Sequence, residues 1–120
     1  MIKLLILEDN PEVRYGIYDH LKQNYEVFVT KDEKEVFRIL NQTNIDLIIF
    51  DYSIISINLK QFVAALKTSN DKILTMILSD QLEDNDKKCL FQSDIDDYVN
   101  KPTDMMELQF RIEHLLKKKE

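Results

Sequence analysis

Five short apolar runs, each followed by an amphipathic segment, constrain the fold of this chain more than any other feature. Ile2 to Leu7 reads as a buried strand. Asn10-Pro11 then signals a helix start, and Val13, Ile17 and Leu21 share one helix face. Tyr25 to Thr30 alternates and is rich in β-branched and aromatic residues, which predicts the second strand. Asp32 is a suitable N-cap for a second helix, whose stripe is Val36, Phe37 and Leu40. Asp46 to Asp51 holds the third strand, and Phe62, Val63 and Leu66 mark the third helix. Between them Tyr52 to Asn58 reads as a loop, unusually apolar through Ile54, Ile55 and Ile57. Ile73 to Leu78 predicts the fourth strand, ending at Ser79. Leu82 to Gln92 gives a weakly patterned fourth helix, and Asp97 to Asn100 a short fifth strand. Leu108, Ile112, Leu115 and Leu116 pattern the last helix, and Lys117, Lys118 and Lys119 suit its negative dipole end.

Helical crossovers between buried strands require a parallel sheet covered on both faces. Right-handed crossovers then give an α/β, doubly wound, three-layer fold. The length of 120 residues and an apolar share of 44% suit one domain, residues 1–120. No apolar run approaches the roughly 20 residues of a membrane span. Glu8 and Asp9 interrupt the first run, so a signal peptide is not expected. The single cysteine, Cys89, excludes an intrachain disulfide and fits a reducing cytoplasm. A net charge of −6 opposes nucleic-acid binding by the domain itself.

The carboxyl ends of the strands carry the chemistry. In a doubly wound sheet the ligand sits beyond those ends, where the winding reverses. The first strand ends in Glu8-Asp9, the third in Asp51, the fourth in Ser79, and the fifth runs into Lys101-Pro102. A lone carboxylate there is usually a helix cap, a lone Ser a turn residue and a lone Lys a surface residue. Coincidence at four of five strand ends points instead to one cleft. Packed carboxylates raise each other's pKa unless a cation sits among them. Hard oxygen ligands suit Mg²⁺ rather than zinc. With an amine and a hydroxyl nearby, such a cleft can hold a transferring phosphoryl group, and a carboxylate can be the nucleophile. Asp51, at the end of a wholly apolar strand, is the best candidate.

The set Glu8-Asp9, Asp51, Ser79 and Lys101-Pro102, with Asp96-Asp97-Tyr98 before the last pair, resembles the receiver domain of two-component response regulators across essentially the whole chain. The resemblance implies a CheY-like, flavodoxin-like (βα)5 sandwich with strand order 2-1-3-4-5. It implies a regulatory phospho-acceptor rather than an enzyme, with Asp51 taking a phosphoryl group from a sensor histidine kinase. Asp9, Asp51 and the Ser53 carbonyl would ligate Mg²⁺, with Glu8 acting through water. Ser79 and Lys101 would hold the phosphoryl oxygens, with the Lys101-Pro102 peptide cis. Tyr98 would be the switch aromatic that follows Ser79. Gln81 and Ser53 flank the site and would affect water access. Glu107-Leu108, Arg111-Ile112 and Leu115-Leu116 further resemble the OmpR/PhoB type. That type implies a homodimer through helix four, strand five and helix five. Asp96, Asp97, Glu107 and Arg111 would pair there, with Lys87 or Lys88 from helix four, and a DNA-binding output domain would lie outside this chain.

Several positions depart from the family pattern. Ile55 and Leu59 replace a Pro and a Gly, Asp94 stands where Gly is usual, Ile95 where Ala is common, and Thr103 where Phe often follows. Asp80 replaces a small residue after the Ser. Pointing inward, it would repel a phosphoryl group; pointing outward, it would cap helix four, which is the expected placement because Asp begins helices well. Three other functions compete. A phosphorylation-independent interaction domain would take Asp80 as its signature, but the intact site argues against it. A haloacid-dehalogenase-like phosphatase needs a second Asp where this chain has Ser53. A flavodoxin-like electron carrier needs a phosphate loop where Glu8-Asp9-Asn10 would repel the flavin phosphate.

Overall fold

A computed structural model of the chain describes residues 1–55 and 58–119. Five parallel strands lie in the order β2-β1-β3-β4-β5. Along the chain they are β1 (Lys3–Leu7), β2 (Glu26–Thr30), β3 (Leu47–Asp51), β4 (Leu74–Ser79) and β5 (Asp97–Asn100). The helices between and after them are α1 (Pro11–Leu21), α2 (Glu33–Gln42), α3 (Leu59–Ser69), α4 (Asp84–Gln92) and α5 (Met105–Lys119). This is the doubly wound α/β fold expected from the alternating pattern, with the flavodoxin-like, CheY-like strand order that the resemblance implies.

The pleat divides the apolar strand residues between two layers. Leu5, Leu7, Ile48, Phe50 and Ile77 face α2, α3 and α4, meeting Val36, Phe62, Leu66 and Leu90. Leu4, Ile6, Leu47, Ile49, Met76 and Leu78 face α1 and α5, meeting Ile17, Leu21, Leu108 and Ile112. Both faces are buried, so these strands carry no polar alternation. Phe62 anchors the first layer, edge-on to Phe37 at 5.8 Å and to Phe50 at 5.1 Å between ring centroids.

Local chemistry sets the helix starts. The Asn10 side chain accepts from the Glu12 and Val13 amides, and Pro11 takes the first helical position of α1. Asp32 caps α2, as expected, by accepting from the Lys34 amide. The Tyr52–Asn58 segment differs from the expected plain loop, because Tyr52–Ile54 forms a 3-10 turn capped by the Asp51 side chain. Ile57 lies outside the described residues. Helix α4 begins two residues later than expected, at Asp84, and its N-cap is Glu83, which makes no side-chain cap bond. Asp80 therefore does not cap this helix, because too much chain separates it from the first turn.

Register brings the functional ends level. Leu7 pairs with Phe50, Asp51 with Leu78, and Ser79 with Asn100. Glu8 thus stands beside Asp51 at the point where the sheet winds outward in both directions. Phe62→Ala is expected to cost about 3–5 kcal/mol in urea unfolding, as for other buried aromatics. Phe91→Ala, at a side chain 86% exposed, should change stability by no more than about 0.5 kcal/mol. Equal losses from both would contradict this division of the core.

Candidate functional site

Glu8 is fully buried and Asp51 is 3% exposed. Two carboxylates at this depth repel and are poorly solvated, so a cation is required. Lys101 supplies it: its Nζ lies 2.8 Å from Glu8 Oε1 and 2.8 Å from Asp51 Oδ2. The backbone aims the lysine, since the Lys101 amide donates to the Ser79 carbonyl at 2.8 Å and the Lys101-Pro102 peptide is cis. The Ser53 amide donates to the other Asp51 oxygen, Oδ1, at 3.1 Å.

The two carboxyls respond oppositely. Burial pushes Glu8 up from 4.5 to about 7, only partly offset by Lys101. Burial also acts to raise Asp51, but hydrogen bonds from Lys101, Glu8 and the Ser53 amide outweigh it and hold the group below the ordinary 3.8. Asp51 is therefore the ionised partner of the pair. Glu8 Oε1 touches Lys101 but finds no hydrogen bond of acceptable geometry. Carboxylate oxygens of Glu8, Asp9 and Asp51 lie within 4.8 Å of one another. Two of these residues are buried and Asp9 is exposed. This set of hard oxygens fits a divalent cation bound from the solvent side.

The remaining expected residues divide. Ser79 is buried next to the site, with its hydroxyl donating to the Asp80 carbonyl at 2.7 Å. Tyr98 is half-buried against the α2–α4 layer, and its hydroxyl reaches Asn100 Oδ1 at 2.5 Å. Asp80 is exposed and lines a hollow of about 520 Å³ with Val13, Ile17, Lys101 and Pro102. Gln81 and Lys87 line another, about 380 Å³, with Tyr98 and Lys101. Arg111 joins Asp97 at 3.0 Å and Glu107 at 3.2 Å within the chain. Asp96 departs from that group: its carboxylate accepts from the Thr75 amide at 2.8 Å and hydroxyl at 3.2 Å. Lys88 is exposed on α4.

Two contributors escaped the sequence reading. Arg14 Nη1 donates to the Glu8 carbonyl at 2.9 Å and to the Asp9 carbonyl at 3.4 Å, pinning the acidic pair's backbone. A basic residue in the first turns of the helix after an acidic strand end was the available signal. Tyr52 donates to Asp86 at 3.0 Å, a contact between distant segments with no sequence signature.

The family model for the response regulator receiver domain matches residues 4–113. The chain belongs to the receiver domain family. It is 28% identical over 120 residues to the heme response regulator HssR of Staphylococcus aureus (strain MRSA252), covering 98% of this chain and 53% of that protein. It is 29% identical over 119 residues to the sensor histidine kinase TmoS of Ectopseudomonas mendocina, covering 98% of this chain and 12% of TmoS. The chain thus spans about half of HssR and a small part of TmoS. A CheY-like receiver domain from Methanospirillum hungatei JF-1 superposes with a TM-score of 0.89 at 15% identity, covering 99% of this chain and 96% of that one, a likeness of fold. No described helix is long and apolar enough to cross a membrane.

The Glu8 shift gives this receiver domain a pH signature. Between the ordinary 4.5 and about 7 the folded protein holds a proton on Glu8 that the unfolded chain releases. Stability therefore falls as pH rises through that window. Asp51, held low, loses its contribution only on acidification, and Lys101, raised above 10.5, only in strong alkali. In the presence of a chelator, the melting temperature of the wild type should fall from about pH 5 to pH 8. Glu8→Gln should flatten this fall, and an unchanged slope would overturn the assignment.

Proposed function

We propose that this receiver domain is a phosphorylation-controlled switch in which Asp51 takes a phosphoryl group from a phosphohistidine on a sensor histidine kinase. The observation that carries the reading is the Lys101 ammonium 2.8 Å from both Glu8 and Asp51, with Asp9 completing the oxygen cluster. In this reading Asp51 Oδ2 attacks phosphorus while the bond to the histidine nitrogen breaks, and the imidazole leaves with the bonding pair. Lys101 then exchanges its contact with Asp51 for a phosphoryl oxygen. The Ser79 hydroxyl turns from the Asp80 carbonyl to a second one. Asp9, Asp51 and the Ser53 carbonyl would hold Mg²⁺, with Glu8 acting through a bound water. The ion would neutralise charge on the phosphoryl oxygens.

Release of the Ser79 hydroxyl changes the β4–α4 loop, and Tyr98 lies on the adjacent strand. The reading therefore assigns the output to the α4, β5 and α5 face, with a second copy of the domain as its partner. It also assigns the domain to a longer, cytoplasmic transcription regulator with a DNA-binding output domain; HssR, of which the chain covers 53%, supports a longer protein. Asp80, exposed beside Lys101, adds negative charge near the entrance rather than among the buried oxygens.

Intact-mass spectrometry after incubation with an acyl phosphate and Mg²⁺ is expected to show one added phosphoryl group. Asp51→Asn and a chelator should each abolish it. No adduct on a folded wild-type domain would overturn the reading in favour of phosphate-independent interaction.

A further inference from the structure

Helix α4 is weakly anchored. Its N-cap Glu83 makes no side-chain bond, and Leu90 is its one buried residue. Among the described residues, one side-chain hydrogen bond joins α4 to another element: Tyr52 Oη donates to Asp86 Oδ1 at 3.0 Å. Tyr52 follows Asp51 directly in the chain. The Tyr52–Ile54 turn that follows is closed locally, because Asp51 Oδ1 accepts from the Ser53 amide and the Tyr52 carbonyl from the Ile55 amide. The Tyr52 ring packs against the α2–α4 core layer. The turn, the start of α3 and the later part of α4 together line a hollow of about 400 Å³ that includes Tyr52, Ser53, Leu59, Lys60, Cys89 and Gln92.

We propose that Tyr52 and Asp86 are positioning residues whose hydrogen bond couples the Asp51 turn to α4, so that the arrangement of each sets that of the other. The link rests on the phospho-acceptor reading for its use, and it runs separately from the Ser79–Tyr98 route. A stiff turn held to a loosely anchored helix transmits displacement in both directions, and the coupling is reciprocal by thermodynamic necessity. Phosphorylation at Asp51 would load this link directly. Breaking it would free α4 without touching any oxygen or cation of the site.

Hydrogen exchange on the full chain tests the link without phosphate. Tyr52→Phe removes only the hydroxyl, and Asp86→Ala removes the acceptor. Both are expected to speed exchange in residues 84–92, and Asp86→Ala also in 51–55, by about threefold to tenfold, the effect of one net hydrogen bond. Asp86→Asn keeps an acceptor while losing the charge at the helix start, and should restore wild-type exchange. The rate of Asp51 phosphorylation by an acyl phosphate should change at least about threefold in Tyr52→Phe and Asp86→Ala, and little in Asp86→Asn. Unchanged exchange in Tyr52→Phe, or Asp86→Asn behaving as Asp86→Ala, would overturn the link. Altered exchange with unaltered phosphorylation would overturn its positioning role. A wild type that accepts no phosphoryl group would overturn the proposed function alone, because the exchange comparison still decides the link.

Discussion

The contact on which the site depends is the Lys101 ammonium between the carboxylates of Glu8 and Asp51. At 4 Å, an effective dielectric constant of about 20 gives two like charges a repulsion of about 4 kcal/mol. Two buried carboxylates on neighbouring strands could not both remain ionised without a cation. The protein provides one from the far side of the sheet, across β4, by fixing the backbone of Lys101 to Ser79. The result is unequal. Asp51 is held ionised, and Glu8 is poised near neutrality because burial outweighs its single cation. That inequality separates two otherwise similar groups by environment: Asp51 keeps its charge, while Glu8 holds a proton over a wider pH range.

Around this centre, order is distributed unevenly. Strands β1, β3 and β4 are buried almost throughout. Helix α4 buries one residue and lacks a side-chain cap. Elements with few buried apolar contacts open at lower free energy than core strands. The same sheet therefore carries a rigid set of oxygens at its edge and a lightly held helix beside them. The Tyr52 hydroxyl and the β4–α4 loop connect that oxygen set to α4.

The sequence carries information about this arrangement wherever the cause is local. The strand runs, the caps Asn10 and Asp32, and the convergence of Glu8, Asp51, Ser79 and Lys101 follow from periodicity, capping chemistry and parallel topology. What was not legible depends on contacts between distant segments. Asp80 has the right chemistry for a cap, yet the loop continues to Glu83 before the chain turns helical. Asp96 looks like a free surface charge, but it meets the start of β4 through Thr75, 21 positions away. The Tyr52 hydroxyl finds Asp86 only because β3 and β4 place their following segments side by side. An apolar loop is ambiguous in the same way: Tyr52–Ile54 coils into a turn because Asp51 offers its side chain to the Ser53 amide.

The α4–β5–α5 face sets a final constraint on any dimer built there. Arg111 is already shared between Asp97 and Glu107 of its own chain. A second copy offering the same charges would replace these pairs with equivalent ones. Partly exposed pairs are worth about 0.2–1 kcal/mol each, so the exchange is close to neutral. Charge alone therefore supplies little affinity, though it can fix orientation. Apolar burial is the larger available contribution. Phe91, 86% exposed, stands beside a hollow lined by Leu90, Ile95 and Tyr98. Tyr98 belongs both to that hollow and to the wall of the Lys101 cleft. A change in its position would alter the apolar surface on offer and leave the ion pairs intact. In the dimer reading, control of association thus lies with the aromatic side chain, while the charges determine which way the two copies face.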